Sequence, residues 1–151
     1  GLTHGGFYGH FESKDALAAI ACTRAFEESE GRWRKRVGEA PDPAAALASL
    51  IDGYLSARNR NNAGTGCPVP ALASDVARES DDKPVRAAFH EGLEGLVDIL
   101  TEVQPDADAR ARRSAALAQM ATLAGAVLLS RAARRSSGRT AGPAHGPPAG
   151  T

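Results

Sequence analysis

The interpretation of the fold starts from residues 1–17, which read GLTHGGFYGHFESKDAL. Thr3 is a good helix N-cap, and Phe7 and Phe11 lie four residues apart, so they share one face of the short helix that follows. Ser13 then suits the N-cap of a second helix. The stretch therefore predicts a turn, a short helix anchored by aromatic side chains, and the start of a longer helix.

The order of residue types in this stretch resembles the end of the helix-turn-helix DNA-binding domain of the TetR family of transcriptional regulators. The family pattern runs glycine, apolar, serine or threonine, two variable residues, small, aromatic, tyrosine, variable, histidine and phenylalanine, with lysine and leucine following. The positions that fall on this pattern are Leu2, Thr3, Phe7, Tyr8, His10, Phe11, Lys14 and Leu17. The agreement in order over 17 residues makes the match specific.

The resemblance implies a DNA-binding role for the stretch. In a helix-turn-helix protein the second helix lies in the major groove with its N-terminal residues nearest the bases. The residues implied to contact phosphates are Thr3, Tyr8, His10 and Lys14, and those implied to face bases are His4, Gly5 and Gly6. His4 is the best candidate for base readout, because the two glycines have no side chain that could specify a base.

The family pattern also extends beyond both ends of the sequence. Its first two DNA-binding helices would precede Gly1, and they normally support the recognition helix. We therefore expect that the chain as given does not bind an operator specifically. A further helix would be expected after Arg131, but the sequence from residue 136 is rich in Ser, Gly, Pro and Ala, so residues 136–151 are predicted to be a disordered tail.

Between these ends, apolar periodicity and capping residues predict an all-α bundle. Helices are predicted at residues 14–37, at 43–60 with Asp42 as the cap and Pro43 at the first position, from Pro68, at 85–103 and at 106–135. The recognition helix makes six, and no segment has a strand pattern. The predicted core faces comprise Leu47, Leu50, Ile51, Tyr54 and Leu55 in one helix and Leu117, Met120, Ala124, Val127 and Leu128 in another.

The resemblance assigns residues 1–17 to the end of the DNA-binding domain and residues 18–135 to a helical ligand-binding and dimerisation domain. It implies a ligand pocket inside the bundle. Candidate lining residues, for which ordinary core packing is the alternative, are Trp33, Tyr54, Cys67, Phe89 and Met120. Few charged residues lie on the apolar faces, so a mostly apolar effector is expected. Cys67 precedes a helix, and is either a reactive sensor thiol or a small buried cap residue.

The resemblance also implies a homodimer, formed through the last two long helices. The small residues that would let helices approach each other there are Ala115, Ala116, Ala121, Ala124, Gly125 and Ala126. The basic residues Arg110, Arg112 and Arg113 are expected to form a solvated face rather than a second DNA site.

Bulk properties narrow the function classes. The formal net charge is +0, which gives no support for nucleic-acid binding but does not exclude a local site. The sequence contains neither a run of about 18 apolar residues nor a signal-peptide pattern, and it has only two cysteines. These features predict a cytoplasmic protein. Metal-ligand spacing, phosphate loops and nucleophile elbows are absent from the sequence, so we predict no enzymatic activity, no cofactor and no metal.

The sequence thus predicts a TetR-like regulator with operator DNA and a small-molecule effector as partners. A repressor relieved by its effector is expected on family analogy alone. The alternative is a helical ligand-binding or dimerisation module without DNA-binding activity, because the N-terminal helices are missing.

Overall fold

The helix boundaries are set largely by side chains that the sequence makes recognisable. A computed structural model describes residues 13–106 and 108–133. The α-helices in this part are α1 (Lys14–Glu39), α2 (Pro43–Leu55), α3 (Ala57–Asn61), α4 (Val69–Val76), α5 (Pro84–Glu102) and α6 (Ala109–Ala132), with a 3-10 turn at Ala63–Thr65. These residues include no strand, and the predicted all-α fold is confirmed. The predicted recognition helix and C-terminal tail lie outside the described residues.

Three of the four longest helices begin at side-chain caps. The side chains of Ser13, Asp42 and Asp108 each accept a hydrogen bond from the backbone N–H three residues further on, at 3.0, 2.8 and 2.8 Å. Each cap satisfies one of the N–H groups that a helix start leaves without an internal partner. The predicted caps of α1 and α2 are confirmed. The last helix was expected from residue 106, but it begins at Ala109 because Asp108 provides the cap.

The helix predicted to end near residue 60 is interrupted at Ser56. Ser56 has an extended backbone, with φ −59° and ψ 150°, so α2 ends at Leu55. The Ser56 hydroxyl donates to Gly53 O at 2.8 Å and accepts from Asn59 N–H at 3.2 Å, which starts α3 in a new direction. Leu55, predicted on the apolar face, is 49% exposed as a result.

The centre of the molecule is the packing of α1 along α5, the most extensive contact between described helices. Phe26 of α1 is 1% exposed and meets Phe89 of α5 edge-on, with ring centroids 5.3 Å apart and an interplanar angle of 85°. A Cβ atom added at Gly92 would overlap the Phe26 ring. Gly92 therefore allows the aromatic ring to lie directly against the α5 backbone.

The predicted core face of α6 is confirmed at Met120 and Val127 but not at its two leucines. Its buried residues are Ala116, Met120, Leu123 and Val127. Leu117 and Leu128 were predicted on the core face, but they are 46% and 49% exposed. One residue corresponds to about 100° around a helix, which turns these leucines away from the core.

The α6 helix is attached to α5 by charge as well as by packing. The Arg113 guanidinium binds the carboxylates of Glu94 and Asp98, and it is about one-third exposed. Arg113 was expected in a solvated face, and it instead forms part of a helix–helix contact.

Within the described residues, α6 is long and apolar enough to cross a membrane. Core helices of water-soluble proteins have the same length and composition, so this is weak evidence of a membrane span.

The contact at Gly92 leads to a first prediction. Gly92→Ala should lower the free energy of unfolding by about 1–3 kcal/mol, because the new methyl group overpacks the α1–α5 contact. The matched control is Gly31→Ala in the exposed interior of α1, where an added Cβ meets nothing within 4 Å. That change should raise stability by about 0.4–1 kcal/mol. Urea unfolding followed by circular dichroism measures both, and equal effects of the two changes would contradict the close approach.

Candidate functional site

A cavity of ≈ 260 Å³ lies where α1, α2, α3 and the segment before α4 meet. The residues that line it are Ser29, Arg32, Trp33, Arg36, Leu50, Gly53, Tyr54, Ser56, Arg58, Asn59, Thr65, Gly66 and Cys67. The space is suited to a small ligand.

The floor of the cavity is aromatic and fully inside the protein. Trp33 of α1 and Tyr54 of α2 meet edge-on, with ring centroids 5.9 Å apart, and are 6% and 3% exposed. Leu50, one turn before Tyr54, is 1% exposed and adds an aliphatic surface. These residues place apolar rings and a hydroxyl group at the same end of the space.

The Tyr54 hydroxyl is a buried polar group without an ordinary hydrogen-bond partner among the described residues. The group it faces is the Cys67 thiol, which hydrogen-bonds weakly. Burial raises the pKa of Tyr54, so its phenol stays protonated. A buried hydroxyl whose partner bonds only weakly lowers stability relative to a fully bonded one.

The Cys67 thiol lies against the same floor and is 3% exposed. Burial raises its pKa, while hydrogen bonds with Tyr54, the Val69 backbone and Ser29 lower it less strongly. The N–H groups at the start of α4 therefore do not outweigh desolvation. These features favour a buried, protonated thiol over a reactive sensor thiol, since reactivity requires the thiolate. Cys67 is not the cap residue of α4, because that position is taken by Pro68.

Asn59 fixes the position of the cavity wall. Its side-chain amide donates to Tyr54 O at 2.6 Å, and its Oδ1 accepts from the Cys67 N–H at 3.2 Å. From the other side, Arg131 of α6 donates to Asn59 O at 2.9 Å and to Arg60 O at 3.1 Å. Asn59 thus connects α3 to the floor, and Arg131 connects α3 to α6.

The rim of the cavity is basic. Arg32, Arg36 and Arg58 line it with exposed side chains, and none of the lining residues is acidic. This composition differs from the mostly apolar lining expected from the sequence. The sequence feature that corresponds to the basic rim is residues 32–36, RWRKR. Arg32 and Arg36 lie four residues apart in it, so they share one face of the helix.

The structure brings together three of the five pocket residues suggested by the sequence. Trp33, Tyr54 and Cys67 line the cavity, whereas Phe89 packs on Phe26 and Met120 is buried in the α6 core stripe. Residues that sequence reasoning missed are Ser29, Asn59 and the three rim arginines.

Only one of the residues suggested to contact DNA lies in the part of the chain that the structure describes. Lys14 is the first residue of α1 and is exposed. The other suggested contacts, Thr3, His4, Gly5, Gly6, Tyr8 and His10, lie outside the described residues.

Residues 43–138 match the family model for the C-terminal domain of LmrA/YxaF-like transcriptional regulators. The chain belongs to the TetR family. The match covers more than half of the chain and includes helices α2 to α6, and thus most of the cavity wall. No curated protein and no solved structure matches the chain.

TetR regulators are generally transcription factors without enzymatic activity. In the part of this TetR-family chain that the structure describes, no group of three or more His, Cys, Asp or Glu side chains is arranged to hold a metal ion. The arrangement of the cavity fits the reversible binding of a small molecule.

The cavity floor yields a second prediction. Tyr54→Phe should leave the free energy of unfolding unchanged or raise it by up to about 1 kcal/mol, because it removes a buried hydroxyl that lacks an ordinary partner. Asn59→Ala, in the same cavity, should lower it by about 1–3 kcal/mol, because the buried Cys67 N–H loses its acceptor. Chemical denaturation of both variants is the measurement. A loss above 1 kcal/mol in Tyr54→Phe would show that the hydroxyl is satisfied.

Proposed function

We propose that this protein is a ligand-responsive, DNA-binding regulator that acts as a cytoplasmic homodimeric repressor, with operator affinity relieved by a small molecule. The main support is the family match over residues 43–138 together with a cavity whose wall is formed by α1. The effector is expected to have a mostly apolar body, which suits the Trp33 and Tyr54 floor.

The α1 helix provides the physical link between cavity and DNA. It is continuous from Lys14 to Glu39, so its N-terminus directly follows the motif of residues 1–12, while Ser29 and Trp33 line the cavity. At 1.5 Å per residue, Trp33 lies roughly 28 Å along the axis from Lys14. A tilt of about 5° near the cavity would move the far end by roughly 2–3 Å.

Such a displacement is large enough to affect operator binding. Two recognition helices in a dimer must match half-sites one DNA turn apart, roughly 34–36 Å. The N-terminal end of α1 is held to the body by the ion pair between Asp15 and Lys83, at 2.6 Å. Both partners are substantially exposed, and exposed ion pairs restrain motion only weakly.

The proposed dimer interface is the outer face of α6. Leu117, Leu128 and Leu129 are 46%, 49% and 69% exposed, and Ala121 and Gly125 lie between them along the helix. Of the small residues expected to aid helix approach, Ala116 belongs to the core, and the others are exposed or half-buried. Burying these leucines against a second copy would remove apolar surface from water.

The dimer proposal gives a third prediction. Leu128→Glu should weaken the dimer by at least about tenfold, because each interface would then contain two carboxylates in place of two apolar side chains. The control is Leu55→Glu, which changes a leucine of the same exposure on α2 instead of α6. Light scattering after size-exclusion chromatography gives the mass of each species. A dimer that persists unchanged in Leu128→Glu would place the interface elsewhere.

The DNA-binding role is tested by mobility shift over a range of salt, with DNA flanking the gene for this chain. The chain is compared with a version extended by the two upstream helices that the family pattern predicts. We expect only the extended version to shift a discrete fragment. Tyr8→Phe and Lys14→Ala in that version should weaken binding and make its salt dependence shallower, because each removes a phosphate contact.

The control for this experiment is Lys35→Ala, which removes an exposed positive charge at the far end of α1. Its salt dependence should equal that of the parent. If neither version shifts any fragment, the protein is better described by the second candidate, a helical ligand-binding or dimerisation module without DNA-binding activity.

A further inference from the structure

The arginines at the cavity rim lack the acidic partners that other arginines on α1 have. Arg24 pairs with Glu28 at 3.1 Å, and Arg34 pairs with Glu102 at 2.5 Å. Arg32, in contrast, donates only to Gly66 O at 3.3 Å. The Arg32 guanidinium is therefore bonded to a backbone carbonyl, and it forms no ion pair with a carboxylate in the described part of the chain.

Arg36 shows the same pattern one turn further along α1. Its guanidinium donates to Ser49 O and Ser49 Oγ, both at 3.5 Å, and forms no ion pair with a described carboxylate. Two like charges at positions i and i+4 of a helix disfavour each other. An anion between Arg32 and Arg36 would relieve this repulsion and gain hydrogen bonds to charged donors.

Gly53 fixes where the Arg36 guanidinium lies. A Cβ atom at Gly53 would be 2.7 Å from Arg36 Cζ, so the absence of a side chain lets the guanidinium rest on α2 at the cavity edge. The planar group is thereby presented beside the cavity rather than extended into solvent. A guanidinium in this setting matches a carboxylate, which has two oxygens at the spacing of its donors.

The residues at the floor of the cavity indicate which kind of group the rest of the ligand would contain. The Trp33 and Tyr54 rings and the ≈ 260 Å³ volume favour a compact aromatic body. The Tyr54 hydroxyl is itself buried beneath this floor, beside the Cys67 thiol. The cavity is thus apolar at its base and cationic at its opening.

We propose that the effector is a small aromatic carboxylate, whose ring lies on Trp33 and Tyr54 and whose carboxylate is bound by Arg36 with Arg32. This inference rests on the proposed function, because it names the chemical class of the ligand for the same cavity. The rim continues into a neighbouring groove of ≈ 470 Å³, which leaves room for substituents next to the carboxylate. Arg32, Lys35 and Arg36 line this groove together with one acidic residue, Glu39, which pairs with Lys35 at 3.8 Å.

The test is isothermal titration calorimetry of the full chain with 2-naphthoate and with its neutral analogue of similar shape, 2-naphthamide. We expect one naphthoate per chain, with affinity at least about tenfold higher than for the amide, because hydrogen bonds to charged groups are the stronger ones. Naphthoate binding should weaken as salt is raised, since the rim arginines are exposed to screening.

Arg36→Gln should reduce naphthoate affinity by about tenfold and leave the affinity for the amide unchanged. Arg24→Gln is the matched control, because it removes an exposed arginine of the same helix that already has carboxylate partners. Arg36→Lys keeps the charge but loses the planar fork, so its affinity should be intermediate. Circular dichroism melting confirms that each variant is folded, and the salt dependence of the parent supports the proposal independently of any variant.

Equal affinities for naphthoate and naphthamide, with no effect of Arg36→Gln, would overturn the carboxylate assignment and leave the cavity as a site for neutral ligands. No saturable binding of either compound would overturn the aromatic carboxylate proposal. Neither outcome bears on operator binding, which the mobility-shift experiment measures without any effector, so the two proposals fail separately.

Discussion

The close approach of α1 and α5 is the constraint on which the rest of the structure depends. Phe26 occupies space that only a glycine at position 92 leaves free, and the long helix is held to the body at that point. Beyond it in both directions α1 has a separate task. Its N-terminal end follows the motif that resembles a recognition helix, and its C-terminal half forms a wall of the cavity. The firm contact at Gly92 thus lies on the helix that connects both regions.

The cavity contrasts with this well-packed centre. Elsewhere the core consists of aliphatic and aromatic side chains, such as Leu96 and Ile99 of α5, with no exposed surface. At the cavity, Ser29, Tyr54 and Cys67 place polar groups at buried positions. Buried polar groups without strong partners lower stability, and they persist where a ligand or a network completes their bonding. Polar groups at buried positions, with arginines above them that form no ion pair with a described carboxylate, distinguish this region from the rest of the core.

Local chemistry made much of the fold predictable. The Ser13 and Asp42 caps and the proline at position 43 act within one turn of the chain, so their consequences can be derived from neighbouring residues alone. The break at Ser56 was missed because serine is compatible with a helix interior, and only the orientation of α3 against α6 makes the extended conformation favourable. Leu117 and Leu128 of α6 were wrongly predicted on the core face, because leucines occur on both sides of that helix. Only packing distinguishes the core side, which contains Leu123, from the outer surface.

The candidate site was predictable only in part, for a similar reason. Trp33 and Tyr54 stood out as large side chains on apolar faces, but they lie 21 positions apart, and nothing local brings them into contact. Nothing local marks Arg32 and Arg36 as part of a cavity rim, because the segment at Gly66 and the glycine at position 53 lie beside them only in the folded chain. The character of the rim is a tertiary property, since it depends on which acidic residues are absent from the neighbouring elements.

The interruption at Ser56 has a consequence for how the cavity is closed. It leaves α3 as a helix of only five residues, with none of them buried. Helices of this length are not stable on their own in water, so α3 depends on the hydrogen bonds made by Asn59 and Arg131. Segments with few buried contacts open by local unfolding at lower free energy than the core. We therefore expect the amide hydrogens of α3, in the outer wall of the cavity, to exchange earlier than those of α1 and α5.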